Sequence, residues 1–368
     1  MILIGTLSLA TIPIEEVISQ TIPGTGEVPL DQKIGQMLLL GFAGTCIAES
    51  DPIARDIREG RIGGVVLSES NIETGPDGTP REQIKALTAS LQRLSPVPLF
   101  IAVDYEGGRV SRFKPEHGFP GTRSAHALGR KNDLRETRTQ ASKMAGLLTE
   151  LGINVNLAPV VDLALNPDNP VIVRRNRSYS SDPMIVSDHA RAFIQEHHRK
   201  GILCAVKHFP GHGSSAGDTH HGGADITRTW KPEELIPYRL LIREGLPDFV
   251  MTAHVSHRRI DAANPATLSR SALTTILRGQ LRYGGVIITD DMHMGAVVGA
   301  YGIETAVIQA VTAGVDILLF THNPGAGEHF AQRLIRILSR AVENGRLTPE
   351  RIDASYRKIM AIKQKIQT

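Results

Sequence analysis

Short apolar runs recur along the chain from Leu30, each followed by a polar loop and then by a segment with helical periodicity. Continuous apolar runs, unlike alternating ones, are typical of strands buried on both faces of a parallel sheet. The eight predicted strands are Met37–Phe42, Gly64–Leu67, Leu99–Val103, Ile153–Leu157, Ile202–Val206, Phe249–Ala253, Val286–Thr289 and Ile317–Phe320. The predicted helices are Pro80–Leu94, Arg138–Leu151, Pro183 to Gly201, Ser269–Leu281, Glu304–Ala313, Gly327–Asn344 and Pro349 to about Gln364.

Eight strands alternating with helices predict an α/β fold, a (β/α)8 TIM barrel, in a single domain over residues 30–368. A doubly wound open sheet is the main alternative. Its dinucleotide-binding version is disfavoured, because no G-x-G-x-x-G lies between the first strand and the first helix.

Residues 1–29 are predicted to be an N-terminal segment and linker. The apolar start, Met1 to Pro13, resembles a signal peptide but has no Lys or Arg before the apolar run. The sequence therefore leaves a cytoplasmic and an exported (periplasmic or secreted) location both open. No segment is long and apolar enough to predict a membrane span.

The composition is that of a globular protein, with 41% hydrophobic and 21% charged residues in 368. A net charge of +3 is nearly neutral for this length, so no nucleic-acid partner is expected. The two cysteines, Cys46 and Cys204, lie far apart and predict neither a disulfide nor a metal site. We expect a monomer that needs no cofactor and no metal.

The stretch Ala205–Gly223 is predicted to be a long loop from Lys207 onwards, because it is rich in glycine, proline and small polar residues. Long loops inside compact domains are uncommon unless they have a function. This one concentrates side chains that bind anions, transfer protons or hold metals: Lys207, His208, His212, Asp218, His220 and His221.

Polar residues also follow the predicted strands, where barrel enzymes carry their active sites. They are Ser68, Asp104, Lys207, His254, Asp290 and Thr321. Asp290 at such a strand end is a nucleophile, a metal ligand or a structural acceptor, and periodicity does not decide whether Asp290 or Asp291 faces the pocket.

The spacing of Asp218 and His220 lets the carboxylate orient the imidazole, whose pKa of about 6.5 suits it to acid/base chemistry near neutrality. This pairing indicates nucleophilic displacement by Asp290 with proton transfer by His220. Asp104, Arg109, Lys207 and His208 would then bind the hydroxyl groups of a polar substrate.

Several segments, in order from Leu30 to the C-terminus, resemble the single-domain β-N-acetylglucosaminidases of glycoside hydrolase family 3. The matching segments are Asp104–Val110, Asn176–Pro183, Lys207–Gly213, Asp218–His220, Met251–Val255, Thr289–Met292 and Ala313–Asp316. The run Lys-His-Phe-Pro-Gly-His-Gly at 207–213 is the most specific of them.

The resemblance implies a retaining hydrolysis of terminal β-linked N-acetylglucosamine, often from peptidoglycan fragments. It assigns Asp290 as the nucleophile and His220, partnered by Asp218, as the acid/base, in place of the usual second carboxylate. It also implies that Asp104, Arg177, Lys207 and His208 hold the sugar hydroxyls, and that Arg109 and His254 line the site.

Three alternatives remain at this point. A metal-dependent barrel hydrolase would use His208 with His212, or His254 with His257, as ligands. A non-catalytic sugar-binding protein would be expected to lack one of Asp290, Asp218 or His220, and all three are present. A phosphorolytic glycosidase is the third, because a neutral imidazole repels an incoming phosphate less than a carboxylate does.

Overall fold

The computed structural model describes residues 28–73, 79–217, 219, 223–322 and 330–366. Within these residues, eight parallel strands form one sheet. We number them β1 to β8, with bounds Leu38–Gly41, Gly64–Leu67, Phe100–Val103, Val155–Asn156, Leu203–Phe209, Phe249–Thr252, Val286–Ile288 and Leu318–Phe320. All eight predicted strands are confirmed.

The sheet closes into a barrel. Strands β1 to β7 lie side by side in chain order, and β8 returns to pair with β1 in the register Leu39 to Leu319. A parallel bridge between Ile288 and Ile317 joins β7 to the start of β8. The residues of these strands are buried, which explains why the strands are mostly apolar in sequence. The fold is the predicted (β/α)8 barrel.

Helices surround the sheet. They are α1 to α11, with bounds Leu30–Gln36, Pro52–Arg58, Pro80–Leu94, Ala125–Lys131, Leu134–Glu150, Pro183–His198, Ile236–Arg243, Val298–Tyr301, Ile303–Ala313, Phe330–Glu343 and Pro349–Lys363. A further helix, Ser271–Gln280, has π-type hydrogen bonding. Short 3₁₀ turns cover Glu69–Asn71, Pro115–His117, Pro232–Leu235 and Ala266–Leu268. No described helix combines the length and the apolar character that crossing a membrane requires.

Two of the predicted helix starts are confirmed in atomic detail. The Asp182 carboxylate accepts the backbone N–H of Met184 at 2.8 Å, and Pro183 occupies the first helical position of α6. The Thr348 hydroxyl accepts the N–H of Arg351 at the start of α11. Each cap satisfies a donor that the helix leaves unpaired.

The predicted end of strand β5 is wrong. Lys207 to Phe209 belong to strand β5 and not to the loop that follows it. Their backbone still pairs with neighbours, because Val161 N–H donates to the Lys207 carbonyl at 2.8 Å and Ala253 N–H to the Phe209 carbonyl at 2.7 Å. Polar side chains occur in this part of the strand because it borders the cavity described below.

Candidate active site

A cavity of about 480 Å³ lies at the carboxyl ends of the barrel strands. Its size is that of small-molecule sites. The charged and polar residues among its lining are Glu69, Asp104, Arg109, Arg112, Arg175, Arg177, Lys207, His208, His212, Thr219, Asp290, Asp291, Thr321 and His322. Side chains from β3, β5, β7 and β8, or from the residues directly after them, therefore meet in one space, as the strand-end pattern predicted.

A buried charge network forms one side of the cavity. Lys207, at the end of β5, donates to Asp104 at 2.8 Å and forms an ion pair with Glu106 at 2.7 Å. Arg177 forms a two-pronged contact with the Glu106 carboxylate, at 2.7 and 2.8 Å. Arg112 completes the network through Asp104 at 2.9 Å. Planar guanidinium–carboxylate pairs of this kind fix both partners in orientation.

The network keeps its members ionised despite burial. Burial alone would raise the pKa of Asp104 and of Glu106, but the cations beside them outweigh burial and hold both pKa values below their usual range. Burial would likewise lower the pKa of Lys207, and the two carboxylates raise it instead. The cavity thus presents fixed charges and hydrogen-bonding groups suited to the hydroxyls of a polar ligand.

His208 is held by a second buried carboxylate, Asp162. Its Nδ1 lies 2.7 Å from Asp162 Oδ2, and its Nε2 lies 3.3 Å from the Arg177 guanidinium. A guanidinium only donates, so Nε2 is the acceptor and Nδ1 carries the proton shared with Asp162. The peptide bonds Lys207–His208 and Phe209–Pro210 are both cis.

His212 lies on the same wall, with its backbone N–H on Asp162 at 2.8 Å and its ring on the Ser215 hydroxyl at 2.9 Å. Burial lowers the pKa of His212 to about 4, so the imidazole is neutral at pH 7. The Asn169 side chain donates to the carbonyls of His212 and Ser215, at 2.8 and 3.0 Å. These contacts fix the base of the loop that follows β5.

Asp290 and Asp291, after β7, both line the cavity but differ in their partners. Asp291 accepts the N–H groups of His293 and Thr321 at 3.1 and 3.2 Å, and its other oxygen contacts the Thr321 hydroxyl. From the described residues, Asp290 accepts one side-chain hydrogen bond, from the N–H of Asp291 at 2.8 Å. It forms no ion pair with a described residue, whereas Glu69, Asp104 and Asp291 lie beside Lys114, Lys207 and His293.

The predicted acid/base pair, Asp218 and His220, lies outside the described residues. Thr219 between them is described: it is buried and lines the cavity, with its hydroxyl 3.4 Å from His212 Nε2. The described residue of this segment thus borders the same cavity as Asp290.

Of the predicted substrate-binding residues, Asp104, Arg109, Arg177, Lys207 and His208 line the cavity together. His254 does not. It is fully buried behind the wall, with Nδ1 on the Thr267 hydroxyl at 2.7 Å and Nε2 on the Asp291 carbonyl at 3.0 Å. It supports the segment after β7 from behind. Of the histidines in the alternative metal pairs, His208 and His212 are hydrogen-bonded to Asp162 and Ser215, and both nitrogens of His254 are used by Thr267 and Asp291.

Four further residues of this site were not predicted from the sequence: Glu106, Asp162, Arg112 and Arg175. Glu106 lies within the matching segment Asp104–Val110, but no role was predicted for it. Asp162 interrupts the apolar run Leu157 to Leu163. Since a carboxylate is seldom buried unless it is paired, this interruption is the local sequence signal that could have indicated a buried partner for Asp162.

A charged cavity at the carboxyl ends of the strands is where (β/α)8 barrel enzymes carry their active sites, so the chain has the architecture of a barrel enzyme. Residues 29–362 match the family described as the glycosyl hydrolase family 3 N terminal domain. The chain belongs to glycosyl hydrolase family 3.

Among its relatives, beta-hexosaminidase A of Pseudoalteromonas piscicida is 33% identical over 92% of the chain, and the chain spans 62% of that protein. A beta-hexosaminidase of Xanthomonas oryzae pv. oryzae is 35% identical over 78% of the chain and 84% of the relative. A solved structure of a glycoside hydrolase family 3 beta-N-acetylglucosaminidase from Paenibacillus sp. str. FPU-7 superposes with a TM-score of 0.83 at 35% identity, covering 92% of this chain and 63% of the other.

Proposed function

We propose that the chain is a retaining exo-β-N-acetylglucosaminidase that hydrolyses terminal β-linked N-acetylglucosamine. Membership of glycosyl hydrolase family 3 supports a glycosidase, and the names of the relatives support the N-acetylhexosamine substrate. The chain spans less than two thirds of the first relative. The proposed activity is therefore argued from the residues of this chain's own cavity.

The observation that carries the proposal is the state of Asp290. It is the lining carboxylate without an ion pair to a described residue, and a nucleophile needs an oxygen that is not committed to a cation. In the same cavity, the network of Asp104, Lys207 and Arg177 offers donors and acceptors for sugar hydroxyls.

In the first step, an Asp290 carboxylate oxygen forms a bond to the anomeric carbon as the glycosidic bond breaks, and His220 gives its proton to the leaving oxygen. In the second step, His220 takes a proton from water, whose oxygen attacks the anomeric carbon and releases Asp290. Two inversions give net retention. Asp218 orients the His220 ring, a role for which the i, i+2 spacing is suited.

The leaving group is proposed to be anionic, as in peptidoglycan fragments that carry carboxylates. Arg109 and Arg175 are exposed, line the cavity and form no ion pair with a described residue. Free guanidinium groups favour carboxylate ligands. A lower kcat/KM on a neutral aglycone than on a muropeptide, with the difference shrinking at high salt, would support this substrate class.

Trapping with a 5-fluoro N-acetylglucosaminyl donor followed by peptide mapping tests the nucleophile. We expect the label on Asp290, and Asp290→Asn to lower kcat by a factor of about 10³ or more. Asp188→Asn, on the surface of α6, is the matched control and should retain activity. Label on another residue overturns the assignment, and sugar 1-phosphate formed in the presence of phosphate would replace hydrolysis by phosphorolysis.

A further inference from the structure

Three metal-binding side chains converge on one wall of the cavity, after strands β7 and β8. They are Asp291, His293 and His322, and their candidate ligand atoms all lie within 4.8 Å of one another. None of these residues belongs to the histidine pairs that the sequence offered as metal ligands.

His293 is the unusual member of this trio. Its ring packs against both Phe320 and Phe330, with centroids 5.0 and 5.6 Å away. Both of its ring nitrogens are buried, and neither makes a hydrogen bond to a described residue. Nδ1 lies 3.6 Å from Asp291 Oδ1, beyond hydrogen-bonding distance. A buried polar group without a partner is costly, and a bound ion is one way to satisfy it.

The other two ligands are already oriented by Thr321. Its backbone N–H donates to Asp291 at 3.2 Å, and its hydroxyl lies 2.9 Å from His322 Nδ1. Nε2 of His322 has no hydrogen-bond partner among the described residues, so it is the nitrogen that can bind an ion. Outer hydrogen bonds that fix the tautomer and direction of a ligand are a regular feature of metal sites.

Two imidazoles and one carboxylate are the donor set that Zn²⁺ accepts with a fourth position open to water. Ligand atoms in such a site lie about 3.4 Å apart, so the most widely separated pair must approach by up to about 1.4 Å. His322 is exposed and can supply that movement by rotating its side chain.

We propose that Asp291, His293 and His322 bind a Zn²⁺-type divalent ion, and that the bound ion inhibits the enzyme. Asp291 is adjacent to Asp290 in the chain, and Asp291 and His322 line the cavity directly. An ion there places positive charge near the proposed nucleophile and occupies space beside it. The inhibitory part rests on the proposed glycosidase activity, whereas the binding part does not.

Binding is tested on metal-free, tag-free protein by calorimetric titration with Zn²⁺ and by the visible absorption of Co²⁺. We expect one equivalent of Zn²⁺ to bind, and tetrahedral Co²⁺ bands to appear. His322→Ala should weaken binding at least 10-fold, as should His293→Gln, which keeps a polar side chain against the two rings. His126→Ala, an exposed histidine on α4, is the control and should bind as the unaltered protein does. No binding at millimolar Zn²⁺, or binding unchanged in both variants, overturns the site.

Inhibition is tested separately with a chromogenic β-N-acetylglucosaminide, with and without Zn²⁺. We expect activity to fall on adding Zn²⁺, to return with a chelator, and to be less sensitive in His322→Ala. If the metal-free protein is inactive, the proposed function fails while the binding result stands. If the protein is active and binds Zn²⁺ at this site without losing activity, the inhibitory part is wrong.

Discussion

Glu106 is the residue through which Arg177 and Lys207 share one buried negative charge. Its side chain is 5% exposed, and its two oxygens accept from Arg177 while one of them also lies 2.7 Å from Lys207. A carboxylate that serves two buried cations cannot be removed without leaving at least one of them uncompensated.

Glu106→Gln is therefore expected to lower the free energy of unfolding by about 3–5 kcal/mol, because Arg177 loses its carboxylate partner in a buried site. Urea denaturation followed by circular dichroism measures this. The matched control is Glu304→Gln, whose side chain is 65% exposed and lies 3.5 Å from Arg346; its effect should stay below about 1 kcal/mol. Equal, small effects from both variants would contradict the account of the network.

Only some residues of this network could be predicted from the sequence. Asp104, Lys207 and His208 could be selected because each directly follows a predicted strand. Their partners lie far away along the chain: Glu106 is 71 residues from Arg177, and Asp162 is 46 residues from His208. No local pattern specifies such partners; the barrel brings them together.

At the scale of elements, the strands were predictable and several helices were not. Strands buried on both faces are mostly apolar, so each stands out in the sequence. The helices that were missed are short: α1, α2 and α4 have seven residues each, α7 has eight and α8 has four. Such lengths give the helical period too few turns to be recognised. Lys207 to Phe209 were assigned to the loop because polar residues in a strand were not expected.

The loop after β5 has a tightly packed base. A Cβ atom at Gly213 would lie 1.7 Å from the Leu163 carbonyl oxygen, so Gly213→Ala must displace the loop base. We expect kcat to fall by a factor of about 10² through misplacement of the proton donor, and stability to fall by about 1–3 kcal/mol.

Gly223→Ala, at the other end of this loop, is the matched control. Its Cβ would meet no atom of a described residue within 4 Å, so kcat and stability should be nearly unchanged. Steady-state kinetics and thermal unfolding of both variants provide the comparison. Full activity in Gly213→Ala would show that the loop base does not set the position of the acid/base pair.

Glu234 lies under the same loop base. It is 1% exposed, and a Cβ atom at Gly211 would come within 2.6 Å of its carboxylate. Burial raises the pKa of Glu234 from 4.5 to about 7, against a smaller opposing effect of Ser214, and the negative Asp162 adds to the rise. The neutral acid is thus the form that the folded protein prefers.

Because folding raises this pKa, the contribution of Glu234 to stability is complete below about pH 4.5 and is lost as the pH rises through about 7. Glu234→Gln should therefore become more stable relative to the unaltered protein between about pH 5 and 8, by at most about 3 kcal/mol. Chemical unfolding at a series of pH values measures the difference. A difference that does not change with pH would show that the carboxyl stays charged in the folded protein.

At the scale of the whole molecule, the two ends of the described chain meet on the side of the barrel opposite the cavity. Lys363 of α11 donates to the Gln36 side chain at 2.7 Å and to the Gly63 carbonyl at 2.8 Å. Its ammonium lies 4.9 Å from the centre of the Phe100 ring. One buried side chain thereby joins the last helix to α1 and to the start of β2.

Burial lowers the pKa of Lys363 from 10.5 to about 7, so the charged form weakens the folded state near neutrality. Its stabilising contribution is complete above about pH 10.5 and is lost as the pH falls through about 7. The free energy of unfolding of the unaltered protein minus that of Lys363→Met should therefore rise between about pH 7 and 9.5, by no more than about 4 kcal/mol. Lys200→Met, at an exposed lysine, should stay within about 0.5 kcal/mol of the unaltered protein at both pH values. A difference for Lys363→Met that is flat or falls with pH would contradict the lowered pKa. It would mean that Gln36, Gly63 and Phe100 compensate the ammonium for its lost hydration, so that Lys363 joins the two chain ends as a charged group throughout this pH range.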